Sequence, residues 1–455
     1  MTEPAAPVQG LTFRLTQRLD AVEVLPKAVR QHVCDTLLNV MGCAVAGARH
    51  SAMGMARRAL VQVSGAGSAT VIGHASGVEP HQAALLNAMA AAVHSYDDTH
   101  ADTLVHPGGP VAFALLALAQ VRPLRGDEFL LAYALGVELA CRLSKALACP
   151  PAVHAPGWIQ NGVVTGAGAA LATAKALRLG PAGMAQAVGI ALTGAAGVRA
   201  LSKGMCFSLM SGQSAEAGLR AALLAEQGFG SAADVLEAEE GVLAMYSMKP
   251  HPGHLVADLG TRYELMDNLC KPYPCGVVLH PAIDACLALV AQEVRPAQIQ
   301  TLRLTLAPAS ARLGNHPHPS TPEQANMSLQ HWAALSLLDG QAGLAQTEPR
   351  RLADPQLAEL RHRVALAADP GLARESARLE VALHDGQVLA LNVAHCRGSR
   401  GRPMTHEEVL HKFKTQCESA LAPADTERLR QACLGLDGLG DVAELVAHAG
   451  RAWQH

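Results

Sequence analysis

The sequence predicts a mainly α protein, a helical domain interrupted by a smaller α+β unit. Three observations carry that prediction. Apolar residues recur at spacings of three and four through most of the first 265 residues. Near Lys271 the pattern changes to short alternating stretches, two of them flanking the turn pair Asp385-Gly386. After Gly401 the helical spacing returns. The division expected is 1–268 for the first part of the helical domain, 269–397 for the α+β unit, and 398–455 for helices returning to the first domain.

The elements follow in order. Pro26 opens a helix through Val29, Val33, Leu37, Val40 and Met41. Helices are expected over 80–94, 110–120, 127–147, 162–177, 181–193 and 213–226, several starting at Pro and stopping near Gly. Their interiors are crowded with Ala and Gly, which lets helix backbones approach closely. In the α+β unit, a helix over 281–290 precedes a strand over 300–307, where Leu302, Leu304 and Leu306 alternate with Arg303 and Thr305. A loop over 314–322, helices over 329–338 and 355–363, and a hairpin of strands 378–384 and 387–393 complete it. Helices over 405–420 and 425–434 form the tail.

Composition removes several classes. The chain has 455 residues, ample for a buried core without disulfide or metal staples. Charged residues are 16%, below the roughly 25% of an average soluble domain, which points to extensive burial. Aromatics are scarce, at 6 Phe, 5 Tyr and 3 Trp. Lys+Arg 36 against Asp+Glu 39 leaves no electrostatic footprint for nucleic acid. The start lacks a basic segment followed by an apolar core, and runs such as 111–119 and 163–172 are too short to span a bilayer. The 11 cysteines show no C-x-x-C spacing, so reduced thiols in a cytoplasm are expected, without a Cys-ligated metal.

Two clusters could carry chemistry. The first is His94-Ser-Tyr-Asp97-Asp98-Thr99-His100, followed by Asp102 and His106-Pro-Gly-Gly-Pro110. It joins two apolar helices. One reading is helix capping by Asp98 or Thr99. The other is acid/base work or metal binding, with imidazoles titrating near neutrality and carboxylates orienting them. The second cluster is Lys271-Pro-Tyr273-Pro-Cys275-Gly276, ending in His280-Pro281. Its prolines fix an extended strip that makes Lys271 a candidate carboxylate clamp or proton donor, or else a hinge between domains. Neither a dinucleotide-binding glycine fingerprint after a strand nor a P-loop lysine appears.

Together, the Asp-Asp-Thr-His and His-Pro loop and the Lys-Pro-Tyr-Pro-Cys-Gly strip resemble the MmgE/PrpD family over nearly the whole chain. That resemblance implies a helical domain with an α+β lid, an active site between them, and a homodimer. It implies dehydratase, decarboxylase or epimerase chemistry on small di- and tricarboxylates, with no metal or organic cofactor. Catalytic roles then fall to His106, Asp97, Asp98, His100, Lys271 and Tyr273, and substrate binding to Thr99, His280, Gly276 and Lys203. Four positions depart from the family pattern: Ser95 for Asp, Ile159 for His, Phe207 for Lys and Met210 for His. Lys203, His154 or Gln160 are candidates to fill the vacated space. The expected function is a cofactor-independent lyase of dehydratase or decarboxylase type, removing a proton next to a carboxylate. The alternatives are a dicarboxylate epimerase or a catalytically silent relative. The exchanged positions make one pocket wall apolar, which implies a smaller, less charged or partly hydrophobic substrate.

Overall fold

The structure is a computed structural model that describes residues 10–64, 67–74, 76–147, 157–418 and 420–450. The first part is a stack of helices, Leu11–Asp20, Lys27–Gly47, Ser51–Val61, Pro80–Ala92, Gly108–Ala119, Gly126–Leu147, Gln160–Ala176, Gly180–Leu192 and Cys206–Glu226. Leu11–Asp20 and Ser51–Val61 were not expected, because Thr, Arg and Gln split the apolar residues of the first and Gly54 and the Arg57-Arg58 pair split those of the second. The last helix of the set begins well before the expected 213, taking in Phe207 and Met210.

Small residues set the spacing in this stack, as the Ala/Gly excess suggested. A Cβ on Gly168 would lie 2.5 Å from the Gly136 carbonyl oxygen, and one on Gly136 would lie 2.6 Å from that of Gly168. Helices Gly126–Leu147 and Gln160–Ala176 therefore cross backbone to backbone at this point. One hydrophobic core joins residues from Leu11 to Cys270 with Val409, Phe413 and Leu445 of the C-terminal helices. A second core, from Tyr273 to Leu383, belongs to the α+β unit.

The second core lies under a four-stranded sheet. Its order is Val364–Ala368, Ile299–Leu306, Ala377–Leu383, Val388–Val393, with the first pair parallel and the others antiparallel. Leu302, Leu304 and Leu306 face the core with Leu379 and Val381, beside Ile283 and Trp332 of helices His280–Val290 and Leu329–Asp339. The Asp385-Gly386 hairpin is present, with Gly386 at φ +90°. The edge strand Val364–Ala368 was not expected, since its Val-Ala-Leu-Ala-Ala run carries no alternation of polarity. Among the described residues, no helix is long and apolar enough to cross a membrane.

A buried ion pair fastens the segment leading to the second motif. Arg142 donates to Glu138 Oε1 at 2.6 Å and to the carbonyls of His254, Ala257 and Arg262 at 3.0, 2.7 and 2.9 Å. Glu138 Oε2 accepts from the Leu265 amide at 2.9 Å. Arg142→Met will lower stability by about 3–5 kcal/mol, because it strands a buried carboxylate and three carbonyls. Urea denaturation checks this, and a loss under about 1 kcal/mol would refute the fastening role.

Candidate active site

The two motif segments meet in a short antiparallel ladder. Strands Asp98–His100 and Asn268–Cys270 pair Asp98 with Cys270, Thr99 with Leu269 and His100 with Asn268. Alternation along the strand sends neighbouring side chains to opposite faces. This separates the two aspartates. Asp98 accepts from the Gly108 amide at 2.9 Å and from Asn268 Nδ2 at 2.6 Å, which caps the start of helix Gly108–Ala119. Burial pushes its carboxyl up to about 6. Asp97 instead meets the Lys271 ammonium at 3.0 Å, both groups being buried. Lys271 also donates to the Ser95 carbonyl at 3.0 Å. Ser95 has φ +50°, a costly conformation for a non-glycine residue. It aims the Ser95 carbonyl at the ammonium.

His106 stands beside this pair. Its Nδ1 lies 2.7 Å from the Asp98 carbonyl and 2.9 Å from Thr99 Oγ1. A carbonyl can only accept, so Nδ1 carries the proton and Nε2 keeps its lone pair. The His106 amide is held by Asn161 Oδ1 at 3.0 Å. Burial, with the neighbouring Lys271 charge, lowers the imidazole to about 4. The ring is thus a neutral, oriented base at pH 7.

His106 and Lys271 line a cavity of about 190 Å³ between the two cores. The helical part contributes Ile159, Met205 and Phe207 among others, and the α+β unit contributes Gly276, Val277, Leu313 and Met327. The Phe207 ring lies edge-on to His106, with centroids 6.0 Å apart. Of the four departing positions, Ser95, Ile159 and Phe207 line this cavity, whereas Met210 lines a separate groove with Gly162 and Val198. Gly276 has no room to spare, since a Cβ there would collide with the Met327 thioether.

The remaining expected site residues point elsewhere. The His100 ring bonds Thr103 Oγ1 at 2.8 Å and faces Glu264 at 3.7 Å. Among the described residues, His100, Glu264 and Asp267 form a group spaced to hold a metal ion. Their carboxylates are already engaged, Glu264 by Lys145 at 3.0 Å and Asp267 by Arg400 at 2.8 Å. The Tyr273 hydroxyl is bonded to Asp284, which also accepts from the Arg397 amide at 2.7 Å. The His280 ring packs edge-on against Tyr273, and burial lowers it to about 3. Gln160 is buried at the first position of its helix. The Lys203 side chain and His154 lie outside the described residues.

Residues that the sequence did not single out complete the site. Arg199 lines the cavity and donates to the Trp158 carbonyl at 2.9 Å. His50 and Glu323 face it from opposite units. His50 Nδ1 accepts from the Ala52 amide at 3.2 Å, so its proton sits on Nε2. Lys412, from the returning tail, donates to Asn39 Oδ1, the Tyr96 carbonyl and the Lys271 carbonyl at 2.6, 2.7 and 2.8 Å. Its ammonium also lies 3.6 Å from the centre of the Tyr96 ring. It thereby binds both motif loops to the helix His406–Glu418. No local pattern marks a lysine whose three acceptors come from distant segments.

A helical domain joined to an α+β unit, with an oriented His and a buried Lys–Asp pair at the junction, defines a class of protein. The MmgE/PrpD N-terminal domain model matches residues 20–254 and the MmgE/PrpD C-terminal domain model matches residues 273–437. The chain belongs to the MmgE/PrpD family. It is 26% identical to a cis-aconitate decarboxylase of Aspergillus terreus, over 94% of this chain and 92% of that protein. It is 28% identical to the cis-aconitate decarboxylase of Homo sapiens, over 80% of this chain and 78% of that protein. A cis-aconitate decarboxylase of Mus musculus matches at 26% identity over 80% and 78%. These relatives are enzymes.

Proposed function

We propose that the protein is a lyase of small carboxylates, of the decarboxylase or dehydratase type, with His106 moving the proton and Lys271 meeting the carboxylate. The observation that carries this reading is the locked His106 tautomer, with Nδ1–H spent on the Asp98 carbonyl and Nε2 left toward the cavity. The names of the relatives support the decarboxylase branch. In dehydration, Nε2 takes the proton next to the carboxylate, the C–O bond breaks, and the protonated ring gives that proton to the departing hydroxide, which leaves as water. In decarboxylation, the C–CO₂ bond breaks and its electron pair passes into the remaining carboxylate. Water at Nε2 then gives a proton to the carbon by way of the ring, and its hydroxide joins the CO₂ as bicarbonate. In both, the Lys271 ammonium stabilises the enolate-like charge. Asp97 holds Lys271 in place, and Thr99 holds the ring.

The test is incubation of purified protein with a panel of small unsaturated and hydroxylated acids in D₂O. Loss of CO₂ with deuterium placed on carbon, or loss of water with the proton next to the carboxylate removed, is the expected result. No turnover across the panel would overturn the reading. Lys271→Met will cut kcat/KM about 10²- to 10³-fold. Because it also strands the buried Asp97 carboxylate, the pairing with Asp97→Asn is the cleaner variant. Near-normal rates in the double variant would remove Lys271 from the mechanism.

A homodimer in a reducing cytoplasm belongs to the same proposal. The described cysteines are free thiols, and Val198, Leu201 and Met205 leave apolar surface exposed along one segment. Sedimentation of the native protein gives its state directly.

A further inference from the structure

We infer that the natural substrate carries one carboxylate at Lys271 and a hydrocarbon arm along the opposite wall, and is not a tricarboxylate. This deepens the lyase reading in its dehydratase form, since a single carboxylate leaves decarboxylation no second one to take its electron pair, and it rests on the junction cavity being the substrate site. Among the described side chains, the cavity has little positive charge to offer. The Lys271 ammonium is already balanced by Asp97 at 3.0 Å and spends a second donor on the Ser95 carbonyl. Arg199 adds one cation, already donating to the Trp158 carbonyl, and Glu323 adds one anion. His106 and His50 are both lowered by burial, so neither ring supplies charge at pH 7. Among the described side chains, cations and anions therefore nearly cancel around this cavity.

Three carboxylates in such a space would leave at least one without a cation among the described side chains. A buried carboxylate in that state is strongly disfavoured. Six apolar side chains of the lining argue the same way. Ile159, Met205 and Phe207 face Val277, Leu313 and Met327 across the cavity. These side chains offer an alkyl or alkenyl group contact and desolvation, and they offer a second or third carboxylate nothing. Met205 and Met327 are flexible thioethers that adapt to an arm of variable shape. The specificity-determining residues are then Ile159 and Phe207, which line the cavity with the base. Phe207 also packs edge-on against His106, so the arm and the reacting carbon share one wall.

Calorimetric titration of the full chain with trans-2-hexenoate and with cis-aconitate tests this without requiring turnover. Hexenoate should bind at least tenfold tighter, with a negative heat-capacity change from apolar burial. Phe207→Lys, at the half-buried start of its helix, should reverse the order. Equal or tighter binding of cis-aconitate by the native protein overturns the inference, as does binding of neither acid. An unchanged ratio in Phe207→Lys removes Phe207 as a determinant and also counts against it. The lyase reading fails in a different way, with hexenoate bound as expected and no acid of an alkyl-substituted series turned over.

Discussion

His106→Gln will lower kcat at least about 10³-fold while leaving the fold intact, because glutamine keeps a hydrogen-bond donor and loses the base. Its side-chain amide can still donate to the Asp98 carbonyl, which now orients Nδ1 at 2.7 Å. What disappears is the Nε2 lone pair. The pH dependence separates this role from mere packing. The catalytic form is the neutral ring, so kcat/KM falls when pH drops through the pKa of the free enzyme. An unperturbed imidazole would produce that fall near 6.5. Here burial and the Lys271 charge have moved it down to about 4. In rapid pH-jump assays, completed before any unfolding, kcat/KM should stay level from pH 7 to 5.5. The limb in kcat should lie higher, because a bound carboxylate offsets the Lys271 charge and restores basicity to the ring. A kcat/KM limb at 6.5 or above in the native protein would assign the base to another group, as would a His106→Gln variant within tenfold of the native rate.

Much of the helical part was legible because three-and-four spacing is local information. So was the hairpin, since Asp385-Gly386 needs nothing beyond its neighbours to turn. The site was legible as two motifs and not as roles. What joins them is a ladder of three residues on each side, too short for alternation to show, across a separation of 170 residues between Asp98 and Asn268. Asp97 and Asp98 look equivalent in sequence. They differ only in the face they occupy, one meeting Lys271 and the other capping a helix. The capping reading of Asp98 and the acid/base reading of the loop therefore describe adjacent residues of one segment. Tyr273 bonds Asp284 of the following helix instead of the cavity. Arg199 and Glu323 reach the cavity through tertiary structure, and neither sits in a pattern that marks it.

Mild acid will unfold the protein cooperatively between about pH 6 and 4.5. Burial lowers His94, His106 and His331 to about 4 and His280 to about 3, all below the ordinary 6.5. The unfolded chain then binds protons that the native state refuses. Stability is whole above pH 6.5 and is lost as pH falls toward those lowered values. Asp98 works in the opposite sense, since burial raises it to about 6 and the native state takes up its proton first. At pH 5 the difference is roughly three protons, or about 4 kcal/mol of stability per pH unit. Two such units rival the whole 5–15 kcal/mol of a typical domain. Circular dichroism across pH, with urea titrations at half-unit steps, measures the slope. His280→Phe removes one refused proton from a ring already packed against Tyr273. It should move the acid midpoint down and flatten the slope by about one proton's worth, near 1.4 kcal/mol per pH unit. A stability level from pH 7 to 5, or a slope untouched by His280→Phe, would mean that these imidazoles reach water and ionise in the native state. The oriented neutral ring of His106 would then lose its footing as well, because the same burial that makes the protein acid-sensitive keeps that base uncharged at pH 7.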